Sequence, residues 1–364
     1  MVSLSQVFSG RRVLVTGHTG FKGSWLCEWL LSLGADVTGI ALAPATTPAL
    51  FNLLGLSQRI RHHVTDVRDI AAISAIFGAV QPEVVFHLAA QPLVRLSYRE
   101  PRETWEVNVG GTVNVLEAVR ASESVRACVV VTSDKCYDNR EWPWGYRESD
   151  PMGGHDPYSS SKGAAELAVA SWRKSFLAQS GCRLASARAG NVIGGGDWAA
   201  DRIVVDFVTA VAAGRTLSLR NPQATRPWQH VLEPLSGYLD LAARLFGDGG
   251  ETFADSWNFG PAEASVVTVG ELARYLVQAW GSGTIEDVSR PGQLHEAGSL
   301  KLDCSKARSR LGWHGIWDVP QTVAATVEWY RQHHQGRNID AITREQISTY
   351  TLQARHAGIP WAYS

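Results

Sequence analysis

The sequence predicts an α/β fold in which a doubly wound parallel sheet is followed by a smaller C-terminal substrate-binding domain. Apolar runs of strand length alternate with helical periods through the first half of the chain, as in parallel sheets covered by helices. A glycine-rich turn after the first run opens a helical pattern. Beyond about residue 190, shorter mixed segments replace the alternation. The apolar runs span residues 12–16, 36–42, 60–64, 83–88, 127–132 and 183–188.

This change of pattern suggests where the domains divide. We expect residues 1–190 to form a Rossmann-type domain and residues 191–364 to form mainly the substrate-binding domain. Strand-like segments near 228–260 are expected to return to the main sheet. The last segment, 340–364, is harder to place and is predicted to be an extension packed on the surface.

Composition and charge narrow the range of functions. The chain has 364 residues, 45% of them hydrophobic, which allows one large core with a smaller companion. Its 34 basic and 35 acidic residues leave no excess positive charge for a nucleic acid or a membrane surface. No apolar stretch approaches the ~20 residues that span a bilayer. We therefore expect a cytoplasmic protein with no nucleic-acid or membrane partner.

The cysteines and histidines give no sign of a metal site. The five cysteines are scattered, without a Cys-x-x-Cys pair, and are expected to be reduced thiols. The pairs His62-His63 and His333-His334 have no carboxylates or cysteines at ligand spacing, so they are interpreted as surface histidines. The sequence therefore predicts no metal.

The turn after the first run has the residues of a dinucleotide site. Thr16 ends the run, and Gly17, Gly20 and Gly23 follow at intervals of three, with Phe21 between the last two. In such turns the first glycine permits a tight bend and the second lets the backbone approach a pyrophosphate. The third lets the helix pack against the strand. A glycine-rich turn that binds nothing is the alternative.

A second pattern lies past the fifth apolar run. Thr132 ends that run, and Tyr158 is followed four residues later by Lys162, which places both side chains on one face of a helix. The ammonium group would stabilise the phenolate and lower the pKa of Tyr158 from ~10, so that Tyr158 could take a proton from a substrate hydroxyl. A surface tyrosine–lysine pair is the alternative, which the glycine turn and Thr132 disfavour.

These motifs resemble those of the extended short-chain dehydrogenase/reductases and, within that superfamily, those of the CDP-glucose 4,6-dehydratases. The glycine turn and the tyrosine–lysine pair are common to the superfamily. The blocks at 132–142, 188–198 and 226–231 are narrower and resemble the CDP-sugar branch. The resemblance covers nearly the whole chain, through the segments 16–25, 87–95, 132–142, 158–162, 188–198, 226–231 and 300–306.

The resemblance implies a lyase that removes water from CDP-D-glucose and gives CDP-4-dehydro-6-deoxy-D-glucose. Tyr158, with Lys162 and Thr132, would take the O4 proton while hydride passes from C4 to NAD. The new ketone makes the C5 proton acidic. Asp134 would then protonate the departing C6 hydroxyl, and for that role it must hold a proton. Return of the hydride to C6 would regenerate NAD.

The role of Lys135 stays open. Related dTDP-glucose dehydratases carry Asp-Glu where this chain has Asp134-Lys135. An ordinary lysine is protonated at neutral pH, so it could accept the C5 proton only if burial or nearby cations favoured its neutral form. Lys135 is therefore interpreted as the C5 base, as a cation that stabilises the enolate, or as a solvated structural lysine.

The expected cofactor is NAD. The acidic residue that usually binds the ribose hydroxyls is missing at Leu42-Ala43-Pro44, but no arginine stands there for a 2′-phosphate either, so NADP is an alternative. Asp66 is predicted to contact the adenine side or to cap a helix. By the resemblance, the cofactor site also includes Val67, Leu88, Ala89, Ala90 and Asn108.

The resemblance places the nucleotide sugar against polar residues of the later motifs. Arg202 and Arg226 are the main candidates for the pyrophosphate, because guanidinium groups bind phosphate oxygens bidentately. A solvated surface arginine is the alternative in each case. The other predicted substrate residues are Gln91, Arg95, Asn191, Arg290 and His295.

Other functions and assemblies share these motifs. A nucleotide-sugar 4-epimerase or a 4,6-dehydratase of another nucleotide sugar would use the same scaffold, although an epimerase has no leaving hydroxyl for Asp134 to protonate. A non-catalytic dinucleotide-binding redox sensor would have no use for Tyr158 and Lys162. The superfamily implies a homodimer or homotetramer joined through helices at 102–120 and 158–178. The product resembles precursors of deoxy sugars in bacterial surface polysaccharides.

Overall fold

A parallel sheet of seven strands lies at the centre of the computed structural model, which describes residues 3–289 and 299–363. The strands in these ranges are β1 (Arg12–Thr16), β2 (Asp36–Ala41), β3 (Arg61–Val64), β4 (Val84–His87), β5 (Ala127–Val131), β6 (Arg183–Arg188), β7 (Val192–Ile193), β8 (Leu217–Leu219), β9 (Thr225–Pro227), β10 (Gln229–His230), β11 (Ser256–Asn258), β12 (Val266–Thr268) and β13 (Ile285–Asp287). The main sheet has the order β3-β2-β1-β4-β5-β6-β11, with every neighbouring pair parallel. The predicted α/β fold with a doubly wound parallel sheet is confirmed.

Helices cover both faces of this sheet. In the described ranges they are α1 (Leu4–Phe8), α2 (Phe21–Ser32), α3 (Leu50–Leu53), α4 (Ile70–Val80), α5 (Val94–Arg99), α6 (Pro101–Trp105), α7 (Gly111–Ala121), α8 (Pro157–Trp172), α9 (Ile203–Ala212), α10 (Leu232–Phe246), α11 (Val269–Trp280), α12 (Ser305–Leu311), α13 (Val319–His334) and α14 (Ile339–His356). π-helical turns at Glu106–Gly110 and Arg173–Leu177 interrupt the helices that the sequence predicted at 102–120 and 158–178. Such turns are frequent at functional sites, and the first one carries Asn108.

The register of the sheet determines where the site lies. Thr16 at the end of β1 pairs with His87 at the end of β4, and His87 pairs with Val130 in β5. Val131 pairs in turn with Ala187 in β6. Because all these strands are parallel, the segments that follow them leave the sheet at the same edge, where ligands of such sheets bind.

The chain after residue 190 adds small strand pairs to this edge. β7 pairs with β10, β9 pairs with β12, and β8 pairs with β13, each in a sheet of two strands. α10, which follows β10 in the chain, packs against β5 and β6. β11 extends the main sheet beside β6.

The C-terminal segment 340–364, predicted to be an extension packed on the surface, forms most of α14, which is exposed on one side and buried on the other. α14 packs against α2 and α13. The rings of Trp29, Tyr350 and Trp361 lie 5.8 to 6.0 Å apart, and each is at most 2% exposed. The sequence did not indicate this packing because the apolar residues of the segment lie beside α2, which is more than 300 residues earlier in the chain.

A buried carboxyl joins α10 to this C-terminal layer. Glu233, 1% exposed, accepts hydrogen bonds from the backbone N–H of Trp317 (2.7 Å) and of Ile316 (3.0 Å). The Tyr350 hydroxyl donates a third bond to it, at 2.7 Å. Burial raises the pKa of Glu233 to about 7, although these three donors act in the opposite direction.

Glu233 should therefore make the stability of the protein depend on pH. The folded protein holds the proton more tightly than the unfolded chain, in which the pKa of a glutamate is near 4.5. This contribution is complete below about pH 4.5 and is lost as the pH rises through about 7. In the parent protein, the free energy of unfolding should therefore fall by about 2–3 kcal/mol between these two pH values. We expect Glu233→Gln to abolish this fall.

Denaturant unfolding at several pH values measures this effect, with Glu328→Gln as a control on the exposed side of α13. For each variant, the change of the free energy of unfolding with pH is measured. A loss of stability that is the same at every pH therefore does not affect the comparison. An unchanged slope in Glu233→Gln would mean that Glu233 does not titrate in this range.

Of the paired histidines predicted to lie at the surface, His334 is exposed, whereas His62, His63 and His333 are half-buried. His62 is half-buried and its Nδ1 lies 2.7 Å from Nε2 of the buried His18. His333 is half-buried and stacks on Trp329 at 5.7 Å. His62 is thus covered by His18, and His333 also contacts the ring of Trp198 at 5.3 Å, so residues distant in sequence cover both. In residues 3–289 and 299–363, no helix is long and apolar enough to cross a bilayer, and no group of metal-binding side chains is found.

Candidate active site

The glycine turn is shaped by close backbone contacts. Gly17 has a φ of +74°, which side chains disfavour, and a Cβ atom there would lie 2.7 Å from Ala89 N. A Cβ atom at Gly23 would lie 2.2 Å from Gly17 O. Gly20 is less crowded and precedes α2 without a side-chain cap. The first N–H groups of α2 are therefore open to an anion, as in a pyrophosphate cradle.

A chain of hydrogen bonds fixes the loop that faces this turn. Thr16 Oγ1 accepts from Leu88 N (3.1 Å) and Ala89 N (3.2 Å) and lies 2.7 Å from His87 Nδ1. His87 Nε2 lies 3.0 Å from Thr112 Oγ1. Burial lowers the pKa of His87 to about 3, with the charge of Lys162 acting in the same direction, so the ring is neutral. Loop 88–90 is thereby held against β1.

Asn108 and Gln91 hold the next part of this loop. Asn108 Oδ1 accepts from Gln91 N (2.8 Å), and its amide donates to Ser161 Oγ at 2.9 Å. The Gln91 side chain binds Leu93 and donates to Thr104 Oγ1 at 2.9 Å. Gln91 was predicted to bind substrate, but its amide is engaged within the loop, so its observed contacts orient the loop.

Tyr158 and Lys162 lie on one face of α8 at the floor of the cleft. They are 8% and 5% exposed. Burial raises the pKa of Tyr158 to about 12, against the opposing effects of a hydrogen bond with Ser133 and the charge of Arg202. The predicted lowering of this pKa is wrong, because loss of hydration penalises the phenolate more than these neighbours favour it. Burial also lowers the pKa of Lys162 to about 8.

Asp134 is the most enclosed carboxyl of the cleft. It lies in a 3₁₀ turn after β5, is 1% exposed, and its Oδ1 accepts from Ser133 Oγ at 3.0 Å. Within the described chain, its Oδ2 has no hydrogen-bond partner. A Cβ atom at Gly190 would lie 1.8 Å from this Oδ2, so the carboxyl fits only over a glycine. Lys135 Nζ lies 3.9 Å from Asp134 Oδ1 and its side chain is 30% exposed.

Thr132 belongs to a buried network behind these groups. Its hydroxyl donates to Glu166 Oε1 at 2.5 Å. Glu166 Oε2 accepts from Ser186 Oγ and from Arg188 Nη2, both at 2.7 Å. Arg188 Nη1 in turn donates to the Tyr137 hydroxyl at 2.7 Å. The network fixes the hydroxyl hydrogen of Thr132 toward Glu166, which leaves its oxygen lone pairs available to accept a hydrogen bond.

The predicted adenine-side residues lie at the far end of the same edge. Asp66 is bound by Arg68, Nη2 to Oδ2 at 2.6 Å, and this hydrogen bond lowers the pKa of Asp66. The residue that caps α4 is Asp69, so the interpretation of Asp66 as a helix cap is wrong. Val67 is 5% exposed and packs beside Gly111.

Of the predicted substrate residues, Asn191, Arg202 and Arg226 lie on the segments after β6, and Arg95 lies in α5. Arg202 Nε lies 3.8 Å from Asp197 Oδ2 and its side chain is 42% exposed. Arg95 Nη1 lies 3.4 Å from Asp201 Oδ1. Asn191 has a left-handed φ of +42°. Arg226 in β9 donates from Nη1 to Thr225 O at 2.8 Å. The predictions for Arg290 and His295 lie outside the described residues.

The family model for GDP-mannose 4,6 dehydratase matches residues 14–326. The chain belongs to the GDP-mannose 4,6-dehydratase family. Its relatives in that family include a CDP-glucose 4,6-dehydratase from Salmonella typhimurium, 48% identical over 94% of this chain and 97% of the relative. The predicted relationship to CDP-glucose 4,6-dehydratases is thereby confirmed.

More distant relatives have other activities. A UDP-glucose 4-epimerase from Mycolicibacterium smegmatis is 28% identical over 89% of this chain and 100% of the relative. The crystal structure of a dTDP-glucose 4,6-dehydratase from Streptomyces venezuelae, which contains NAD, has a TM-score of 0.76 and 25% identity. The match covers 90% of this chain and 98% of that one.

Several residues of this member of the GDP-mannose 4,6-dehydratase family were missed in the sequence. Glu166 follows Tyr158 and Lys162 at the same spacing of four on α8, and that repetition could have indicated it. Ser133 lies inside a recognised motif, beside Asp134. Lys22 lies inside the glycine turn itself. Gly190 also lies inside a recognised motif, the block 188–198. Tyr238 carries no local signal and is identified only by what it touches.

Proposed function

We propose that this protein dehydrates CDP-D-glucose to CDP-4-dehydro-6-deoxy-D-glucose, with NAD as a hydride carrier that is regenerated in each turnover. The observation that carries the proposal is the buried Asp134, whose charge acts on Tyr158 and whose Oδ2 is unbonded within the described chain. A dehydratase needs such a group to protonate a leaving hydroxyl, whereas an epimerase does not. The 48% identical relative is a CDP-glucose 4,6-dehydratase, which supports the choice of nucleotide and sugar.

The glycine turn fits NAD, because Gly17 and Gly23 admit no side chain and the first turn of α2 is open. When bound there, NAD accepts a hydride from C4 of the sugar and returns it to C6. The residues proposed to hold it are Thr16, Gly17, Gly20, Phe21, Gly23, Asp66, Val67, Leu88, Ala89, Ala90, Asn108, Thr132, Tyr158 and Lys162.

In the first step, Tyr158 is proposed to take the O4 proton as hydride leaves C4. Burial disfavours the phenolate that this requires, so nearby donors and cations must compensate. Ser133 and Arg202 act in that direction, and the Lys162 ammonium lies one turn along the same helix face. The Thr132 oxygen, with its hydrogen directed at Glu166, can accept a hydrogen bond from the substrate hydroxyl.

In the second step, Asp134 and Lys135 are proposed to act as a pair. Elimination needs a neutral base at C5 and a protonated acid at O6. Lys135 Nζ and Asp134 Oδ1 lie 3.9 Å apart, so one proton shift from the lysine to the carboxyl through a bridging water or substrate hydroxyl would produce both. The lysine then takes the C5 proton, and the carboxyl gives its proton to O6, which leaves as water. The resulting lysine ammonium can return a proton to C5 when hydride reaches C6.

This pairing makes a specific prediction for Lys135→Met. Oxidation at C4 should proceed and reduced cofactor should accumulate, but exchange of the C5 hydrogen with solvent should fall at least about 100-fold, because the base is missing. Deuterium uptake from heavy water, followed by mass spectrometry of the sugar nucleotide, measures the exchange. Lys301→Met, which removes a half-buried lysine outside the cleft motifs, is the control. Exchange at the parental rate would leave Lys135 with an electrostatic role only.

The substrate-side residues and the assembly are also part of the proposal. We propose that residues 191–364 mainly bind the nucleotide sugar, with Arg202 and Arg226 on its pyrophosphate and with Gln91, Arg95, Asn191, Arg290 and His295 around it. We also propose a homodimer paired through α6, α7 and α8, because apolar side chains are exposed there and on the π turn after α8: Trp105 (41%), Leu167 (62%) and Phe176 (50%). A monomer in analytical ultracentrifugation would contradict this pairing.

A substrate comparison tests the function. The purified protein is incubated separately with CDP-glucose, dTDP-glucose, GDP-mannose and UDP-glucose, and products are analysed by mass spectrometry. We expect loss of one water from CDP-glucose without net consumption of NAD. Loss of water from another sugar nucleotide alone would reject the substrate. Epimerisation without loss of water would reject the reaction.

A further inference from the structure

Lys22 is a cation in a position that three physical effects disfavour. It is the second residue of α2, where the positive end of the helix dipole opposes positive charge. Its side chain is half-buried, and loss of hydration lowers its pKa to about 8. The charges of Lys162 and Arg202 act in the same direction. When several physical effects disfavour a charged residue at the edge of an active site, the residue is expected to have a functional role.

The position of the Lys22 ammonium is fixed by α10. Its Nζ lies over the ring of Tyr238, 5.7 Å from the ring centroid. Tyr238 is fully buried, and the charges of Asp134 and Tyr158 act on it. The ammonium therefore reaches from the glycine turn toward the catalytic groups.

The charges around Lys22 do not cancel. Asp197 and Arg202 form an ion pair, with Oδ2 and Nε 3.8 Å apart, and neutralise one another. The ammonium groups of Lys22 and Lys162 then face the carboxyl of Asp134. When Asp134 holds the proton needed for dehydration, the remaining carboxylate that acts on Lys22 is Asp197, which is paired with Arg202. This end of the cleft is consequently unfavourable for a further positive charge.

We propose that Lys22 is an electrostatic residue that disfavours the oxidised, positively charged nicotinamide relative to the reduced, neutral one. The inference rests on the NAD site of the proposed function and not on the identity of the sugar. In the oxidation, the C4–H bond breaks and its hydrogen and electron pair pass to the ring, while the O4 proton passes to Tyr158. The ring thereby loses its charge, which relieves its repulsion by Lys22 and makes the bound cofactor a stronger oxidant.

The ratio of two dissociation constants isolates this effect. NAD and NADH carry the same pyrophosphate and adenosine, so contacts to those groups cancel in the ratio Kd(NAD)/Kd(NADH). At an effective dielectric constant of about 20, a tenfold change in this ratio corresponds to a unit charge on the order of 10 Å away. That factor corresponds to about 30 mV in the two-electron potential of the bound cofactor.

Titration calorimetry on the protein stripped of dinucleotide, without sugar, measures both constants. We expect Lys22→Met to lower the ratio about tenfold and Lys22→Arg to keep it near the parental value. Lys174→Met, which removes an exposed lysine after α8, is the control for loss of one positive charge. Lys22→Gln gives a second neutral variant if the methionine variant does not fold.

The alternatives give different results. Equal weakening of NAD and NADH would assign Lys22 to the pyrophosphate and overturn the inference, as would no change in either constant. A parent protein that binds neither dinucleotide would overturn the proposed function and this inference together. Binding of NAD without dehydration of CDP-glucose would reject only the sugar and would leave the inference intact.

Discussion

Replacing Tyr158 with phenylalanine is expected to lower kcat about 10³-fold and to abolish detectable reduction of the cofactor. The substitution removes only the hydroxyl that would accept the O4 proton, and positioned proton transfer contributes roughly 10²–10⁴-fold. Because oxidation at C4 is the first step, exchange at C5 and loss of water should both fail with it. The near-ultraviolet absorbance of reduced nicotinamide, recorded in a single turnover, measures the step directly.

Tyr363→Phe serves as the matched control for Tyr158→Phe. Its hydroxyl donates to Arg355 O at the surface, far in sequence from the cleft, so the same chemical change there should leave kcat unaltered. Thermal unfolding of both variants separates a loss of chemistry from a loss of fold. Cofactor reduction at the parental rate in Tyr158→Phe would remove this residue from the mechanism.

Replacing Asp134 with asparagine is expected to separate oxidation from dehydration. Asparagine has nearly the same shape and still fits over Gly190, but it cannot supply a proton to O6. Hydride should leave C4 and reduced cofactor should accumulate, whereas water loss should slow by about 10²–10⁴-fold. Mass spectrometry of the product, with absorbance of the reduced cofactor, reports the two steps separately.

Asp138→Asn is the control for Asp134→Asn, since its carboxyl lies four residues further on, is 52% exposed and pairs with Arg140. It should leave both steps unchanged. Water loss at the parental rate in Asp134→Asn would transfer the acid role to another group. Failure of oxidation as well would instead indicate that Asp134 positions Tyr158, on which its charge acts.

Asp134→Asn and Lys135→Met together test the paired mechanism. Both are expected to accumulate reduced cofactor and to lose exchange at C5, because Lys135 becomes a neutral base only when Asp134 takes its proton. If the two residues share one proton, either single substitution should slow water loss nearly as much as the double substitution does. The reason is that the remaining acid or base then lacks its partner. A double variant much slower than both single variants would indicate independent roles.

Local sequence patterns were sufficient to predict the sheet and the edge of the sheet at which the glycine turn lies. Each of the six apolar runs became a strand within one residue at either end, as at β1 (Arg12–Thr16) and β6 (Arg183–Arg188). The glycines of the turn and the pair Tyr158 and Lys162 were visible for the same reason. Their function depends on spacing along one strand, turn or helix, which the order of residues records directly.

The environment of the catalytic groups was not readable in this way. The sequence predicted a lowered pKa for Tyr158, whereas burial raises it to about 12. The burial of Tyr158 depends on the segments that pack above α8, and these segments lie outside residues 158–162. The same holds for Asp134, whose enclosure depends on Ser133 beside it and Gly190 beyond β6.

The sequence by itself determined the parallel sheet, its ligand edge and the chemical types of residue at that edge. Only the tertiary structure decided that one side of 340–364 is buried, that Glu166 and Arg188 support Thr132, and that the Lys22 ammonium lies over the ring of Tyr238. The physical reason is the range of the interactions. Strands, turns and helix faces follow from neighbours in the chain, whereas desolvation and the sum of buried charges depend on segments that meet only after folding.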